Sequence, residues 1–165
     1  MTILRLLFAF AAFASGLNCA AQAKILPGDK SLNTSVIKQG NFSMDYFENV
    51  KGALQRIGVN AYKVEVKDGK VFVTRTVSYT GNIPDLKEEL QADAATLKPI
   101  SRIFSNGKQK TSVAFGASAA SEVLDIKTGK KSNVTTAVTN EAFDYALHPL
   151  VISILPLKSG YKAII

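Results

Sequence analysis

The chain has 165 residues, 47% of them hydrophobic and 20% charged, with 20 Lys+Arg against 13 Asp+Glu for a net charge of +7. That length and composition suit one folded domain with a sizeable core and exclude a disordered or low-complexity chain. One cysteine, one histidine and no tryptophan argue against a disulfide framework and against a zinc site, which takes several such ligands.

The first residues have the three parts of a signal peptide. Arg5 gives the positive charge, Leu6 to Phe13 an unbroken apolar run, and Ala21-Gln22-Ala23 a small-x-small cleavage pattern. The expected cut lies between Ala23 and Lys24, so residues 1–23 are read as a leader. The apolar run is shorter than the roughly 20 residues a membrane-spanning helix needs. Cys19 follows Gly16-Leu17-Asn18, and Asn18 stands where a lipid-modified export signal wants a small residue. A lipid anchor there is not expected, and the exported chain would carry no thiol. Without Arg5 the rest has 19 basic and 13 acidic residues, net +6, and the lysines are dispersed. Dispersed lysines fit the solvent faces of strands, with anionic surfaces as a further use. Nucleic acid is not expected, because no arginine–aromatic cluster is present to stack bases. The localisation implied is exported, in the periplasm or at the outer membrane.

Residues 24–60 read as the N-terminal lead-in and first strands of the domain, and within them 24–50 carry the weakest pattern, a turn-prone start followed by a first strand around Phe42, Met44, Tyr46 and Phe47. From 61 onward the period is two. Tyr62, Val64 and Val66 alternate with Lys63, Glu65 and Lys67, as in a strand with one wet and one dry face. Asp68-Gly69 then leads into Lys70–Tyr79, and Asp-Gly between two such runs marks a tight hairpin. Leu86, Glu88, Leu90 and Ala92 form the next dry face. Glu88 on that register is anomalous, and an edge strand kept from aggregating is one explanation. Leu97–Phe104, Thr111–Phe115, Ser121–Lys127 and Lys130–Val138 read as further strands, with turns at Asn106-Gly107 and Thr128-Gly129. Six to eight strands at this spacing predict a mainly β fold, an antiparallel meander curled into a curved sheet or half-barrel over 61–165.

Glu141–Leu157 changes period. Asn140 is a candidate cap, Phe143, Leu147 and Leu150 recur at helical spacing, and Pro149 and Pro156 limit the length. A short helix over about 141–154, packed on the sheet, is expected. Tyr161–Ile165 reads as one more strand that a longer chain would continue, so the sheet is expected to be incomplete at this end.

No catalytic constellation stands out. His148 has Asp144 one turn before it and Ser153 five residues after, and one helix cannot present these as a triad. Glu88 and Glu89 point to opposite faces of a strand and cannot serve as a glycosidase pair. Nucleotide-loop and nucleophile-elbow motifs are missing from the sequence. The expectation is a non-enzymatic protein without metal or cofactor.

Leu155-Pro156-Leu157-Lys158-Ser159-Gly160-Tyr161, Phe143-Asp144 and Leu97-Lys98-Pro99-Ile100-Ser101-Arg102 resemble the corresponding phrases of uncharacterised bacterial envelope proteins of the Bacteroidota type. In outline that family is similar to the periplasmic lipoprotein carriers. The resemblance implies a curved antiparallel sheet that holds acyl chains beneath covering helices, and it brings no catalytic residues. A lipid or other apolar ligand would then lie near Phe72, Phe104, Phe115, Phe143, Leu147 and Leu150, although such residues more commonly form the core. The competing expectation is a structural module that meets an envelope partner through an open sheet edge or its lysine-rich face.

Overall fold

In a computed structural model, residues 23–137, 142–159 and 161–165 are described. The leader through residue 22, with Cys19, and the candidate cap Asn140 lie outside the described residues. Eight strands follow one another in chain order: β2 (Gly40–Val50), β3 (Ala53–Lys67), β4 (Lys70–Tyr79), β5 (Leu86–Asp93), β6 (Pro99–Ser105), β7 (Gln109–Phe115), β8 (Ala119–Asp125) and β9 (Lys131–Thr136). Each pairs antiparallel with its sequence neighbours, in the order β2-β3-β4-β5-β6-β7-β8-β9. This is a meander in an open sheet, with β2 and β9 as its edges. A separate two-residue ladder joins β1 (Ala23–Lys24) in parallel to β10 (Ala163–Ile164). The strand expected at the end of the chain therefore pairs with the first described residues and not with the large sheet.

Turn chemistry explains the connections. Asp68 and Gly69 both take positive φ, 51° and 71°, which a two-residue type I′ hairpin requires. Gly107 has φ 78° at the first central position of the β6–β7 turn, and Asn106 Oδ1 accepts from the amides of Lys108 and Gln109. At the third turn, Asp125 Oδ1 accepts from the Thr128 amide and Gly129 has φ 70°. The β2–β3 turn was silent in the sequence, because Lys51 enters the left-handed region (φ 52°) beside Gly52, a conformation β-carbon sterics make uncommon for lysine.

β3 is continuous across residue 60, so the lead-in and the alternating region share a strand. A bulge between Tyr46 and Phe47 breaks the β2–β3 register. Nearby, a β-carbon at Gly58 would stand 2.5 Å from the Ser78 carbonyl oxygen. Beyond Gly58, paired with Tyr79, β4 no longer accompanies the hairpin. Residues 47–56 thus project as a two-stranded arm.

The C-terminal segment starts later than its hydrophobic spacing suggests. A 3-10 turn, η2 (Tyr145–Leu147), runs into helix α1 (His148–Ile154). Asp144 supplies the cap, its Oδ1 accepting from the Ala146 amide at 2.9 Å. Pro149 sits in the first turn of α1, where its missing N–H costs nothing. The core lies between α1 and the centre of the sheet. Leu147, Leu150, Val151 and Ile154 pack on Tyr62, Val64, Val71, Val73, Leu90 and Ala92, with Ile25, Leu32 and Leu97 closing the ends. Burying side chains of this size contributes roughly 1.5–3 kcal/mol each.

Candidate functional site

Two features stand on the helix-covered face, and cross-strand register joins them. One row of residues crosses the sheet as Phe42, Tyr62, Arg75, Glu88 and Phe104, each paired with the next. At its centre Glu88 is only 1% exposed. Arg75 Nη1 donates to Glu88 Oε2 at 2.6 Å, and the Arg102 guanidinium and the Tyr145 hydroxyl both donate to Oε1. Arg75 Nε also donates to Asn60 Oδ1 at 3.0 Å. Arg102 faces Asp144 at 3.6 Å.

The rings complete this arrangement. Tyr145 lies between the two guanidiniums, 4.2 Å from Arg102 and 5.8 Å from Arg75. Arg75 also stands 5.9 Å from the Tyr62 ring, and Tyr62 stacks on Phe42 with centroids 5.2 Å apart. Such cation–ring contacts add about 0.5–2 kcal/mol each.

Electrostatics follow from this packing. Burial pushes the Glu88 carboxyl up, but hydrogen bonds from Tyr145, Arg102 and Arg75 outweigh it and hold the group below its ordinary 4.5. Burial raises Asp144 above 3.8. Burial and the Glu88 carboxylate push the Tyr145 hydroxyl up to about 12. A carboxylate held ionised and enclosed by three donors is a poor proton carrier. Its geometry instead pins the segment carrying Asp144 and Tyr145 to the sheet. Glu88 is thus a central-strand residue with two arginine partners, which corrects the edge-strand explanation.

The second feature is a groove of about 480 Å³ between α1 and the edge strand β2, lined by Val36, Lys38, Phe42, Met44, Pro149, Leu150 and Ser153. Its volume falls within the range of small-molecule sites. Phe42, Met44 and Tyr46 lie two residues apart on this face of β2 and remain 40%, 42% and 45% exposed. On the other face, strands β6–β9 form a trough of about 550 Å³. Its lining mixes Ser101, Ser112 and Glu122 with Ile103, Val113 and Val134, and it is a more open depression than the groove beside α1.

Of the six positions anticipated for an apolar ligand, the groove takes one, Leu150. Leu147 is fully buried in the core and Phe143 packs against it. Phe104 lies 5.6 Å from the Arg102 guanidinium, and Phe115 is farther out on the same face, paired with Ala119. Phe72 points to the opposite face, in a polar depression with Glu65, Glu89 and Gln91. Sequence reasoning missed Val36, Lys38, Met44 and Pro149. It also missed Arg75 and Arg102, although both occupy buried registers of strands beside Glu88, a signal available in the alternation.

Among the described residues, no hydrogen bond joins His148 to Asp144 or Ser153. Ser153 Oγ instead donates to the Leu150 carbonyl at 2.7 Å. No set of three or more His, Cys, Asp or Glu side chains gathers as a metal site among the described residues. No helix there is long and apolar enough to cross a membrane.

Comparison with known proteins gives one match. The family described as "Protein of unknown function (DUF3108)" matches residues 41–165, more than half of the chain. No curated protein and no solved structure matches.

Proposed function

The chain belongs to the DUF3108 family, and we propose that it is an exported, non-enzymatic protein that binds a lipid or other apolar ligand between its sheet and α1. The carrying observation is the groove beside α1, whose walls are Val36, Phe42, Met44, Pro149 and Leu150. Its β2 wall is apolar at Phe42 and Met44, which remain 40% and 42% exposed, and Tyr46 continues the same row on that face. Apolar rows at helix–sheet junctions are normally covered, and one left open is a place for a ligand or partner. The outline similarity to lipoprotein carriers agrees with a sheet that offers an apolar chain one face beneath a helix. The leader-like residues 1–23 support export to the periplasm or outer membrane.

Native mass spectrometry of the purified protein tests this reading. Bound lipid should be released by organic extraction, and dodecan-1-ol should rebind to the stripped protein. Met44→Asp, which places a charge on the groove wall, should abolish rebinding while leaving the circular dichroism spectrum unchanged. A ligand-free mass together with no rebinding of dodecan-1-ol contradicts the proposal.

A second reading rests on the projecting β2–β3 arm. Leu54 is 73% exposed there, near exposed Phe47, and β2 offers unpaired backbone groups along its outer edge. An envelope partner docked on this arm should cross-link to residues 47–56. Labelling confined to other surfaces counts against that use.

A further inference from the structure

The groove has one charged lining residue, and its position defines a ligand class. Resting on the apolar-ligand reading, we propose that the groove takes an alkyl chain ending in a carboxylate, with the carboxylate on Lys38 and the chain along Phe42 and Met44. No acidic residue lines the groove. Lys38 is exposed and makes no ion pair among the described residues, whereas Lys63 and Lys131 engage Glu65 and Glu122. The Ser153 hydroxyl already donates to the Leu150 carbonyl, so the Lys38 ammonium is the one charged donor in the lining.

The strand makes the site directional. Lys38 lies two residues before β2 begins, and Phe42, Met44 and Tyr46 then follow on one face. At about 3.4 Å per residue, Phe42 to Met44 covers about 7 Å of groove wall, and Tyr46 extends the exposed apolar row to about 14 Å from Phe42. A head group that is cationic meets Lys38 with like charge, and the net charge of +6 on residues 24–165 works in the same direction.

Isothermal titration of the protein with three twelve-carbon probes, the two ionic ones below their micelle concentrations and the alcohol below its solubility limit, separates the possibilities. Dodecanoate should bind at least tenfold tighter than dodecan-1-ol, and dodecyltrimethylammonium more weakly than the alcohol. Lys38→Met should bring dodecanoate down to the level of the alcohol, and Lys38→Glu should reverse the order of the two charged probes. Lys38 is exposed and outside the core, so both variants should keep the wild-type circular dichroism spectrum. Equal binding of dodecanoate and dodecan-1-ol overturns the carboxylate assignment and leaves the apolar groove standing. Failure of all three probes overturns both. Cosedimentation with phosphatidylglycerol vesicles without binding of monomeric dodecanoate replaces the proposal with a membrane surface.

Discussion

The centre of the sheet and its outer strands obey the same alternation but different packing. Over β3, β4 and β5 one face is covered by α1, and Tyr62, Val64, Val71, Val73, Leu90 and Ala92 are buried. On β9 every residue is exposed, and on β2 only the last, Val50, is partly covered. The difference lies in what stands opposite each strand. A seven-residue helix covers only a few strands, so its placement divides the sheet into a packed core and open wings. The groove lies at that boundary, where the helix edge meets a strand it does not fully cover.

This division can be tested by mutation. Removing the central counter-ion should have the largest effect. Glu88→Ala leaves Arg75 and Arg102 facing a buried vacancy, and breaking a buried pair this way costs about 3–5 kcal/mol. A loss below about 1 kcal/mol in urea melts would show that water replaces the carboxylate. Next, Leu147→Ala in the fully buried seam should cost about 2–5 kcal/mol and lower Tm accordingly. Gly58→Ala forces a β-carbon onto the Ser78 carbonyl and should cost about 1–3 kcal/mol, read from chemical denaturation. At the far wing, Val134→Ser on β9 should stay within about 0.5 kcal/mol of wild type. A larger loss there would mean that β9 has a partner in solution.

Acid sensitivity sharpens the same contrast. Glu88 titrates below its ordinary 4.5 in the folded state. Its stabilising contribution is therefore complete above the unfolded value and is lost as pH falls through the folded one. Asp144 is shifted the other way, so it opposes folding as pH rises above 3.8 and partly offsets the Glu88 effect. Asp144→Asn keeps a cap acceptor and removes the offset. The variant should lose stability more steeply than wild type on acidification from about pH 6 to pH 3, as measured by urea midpoints. A slope equal to or shallower than that of wild type would show that burial does not raise the Asp144 carboxyl.

The central strands were legible because their two faces differ in wetness. Lys63, Glu65 and Lys67 are exposed or nearly so, beside buried Tyr62 and Val64, and Asp68-Gly69 turns where its chemistry requires. β2 carries the same alternation in Phe42, Met44 and Tyr46, but both of its faces are exposed, so the pattern there does not mark a buried face. The helix start was misplaced because Asn140 and Asp144 are both good caps, and only packing selects Asp144. Arg75 and Arg102 were passed over since a charged residue on a dry register signifies little until its partners on neighbouring strands are known. The groove depends on where α1 crosses relative to β2, about a hundred residues away in sequence, and no local pattern encodes that.

The account depends most on the groove, and the chain's lack of tryptophan permits a direct test. Phe42→Trp places a single reporter in the groove wall, and Ile126→Trp places one on an exposed site of the β8–β9 turn. Dodecan-1-ol should shift the emission of the Phe42→Trp protein to shorter wavelength, saturably, and leave the Ile126→Trp protein unchanged. Equal shifts in both, or no shift in either, would contradict a ligand site between β2 and α1.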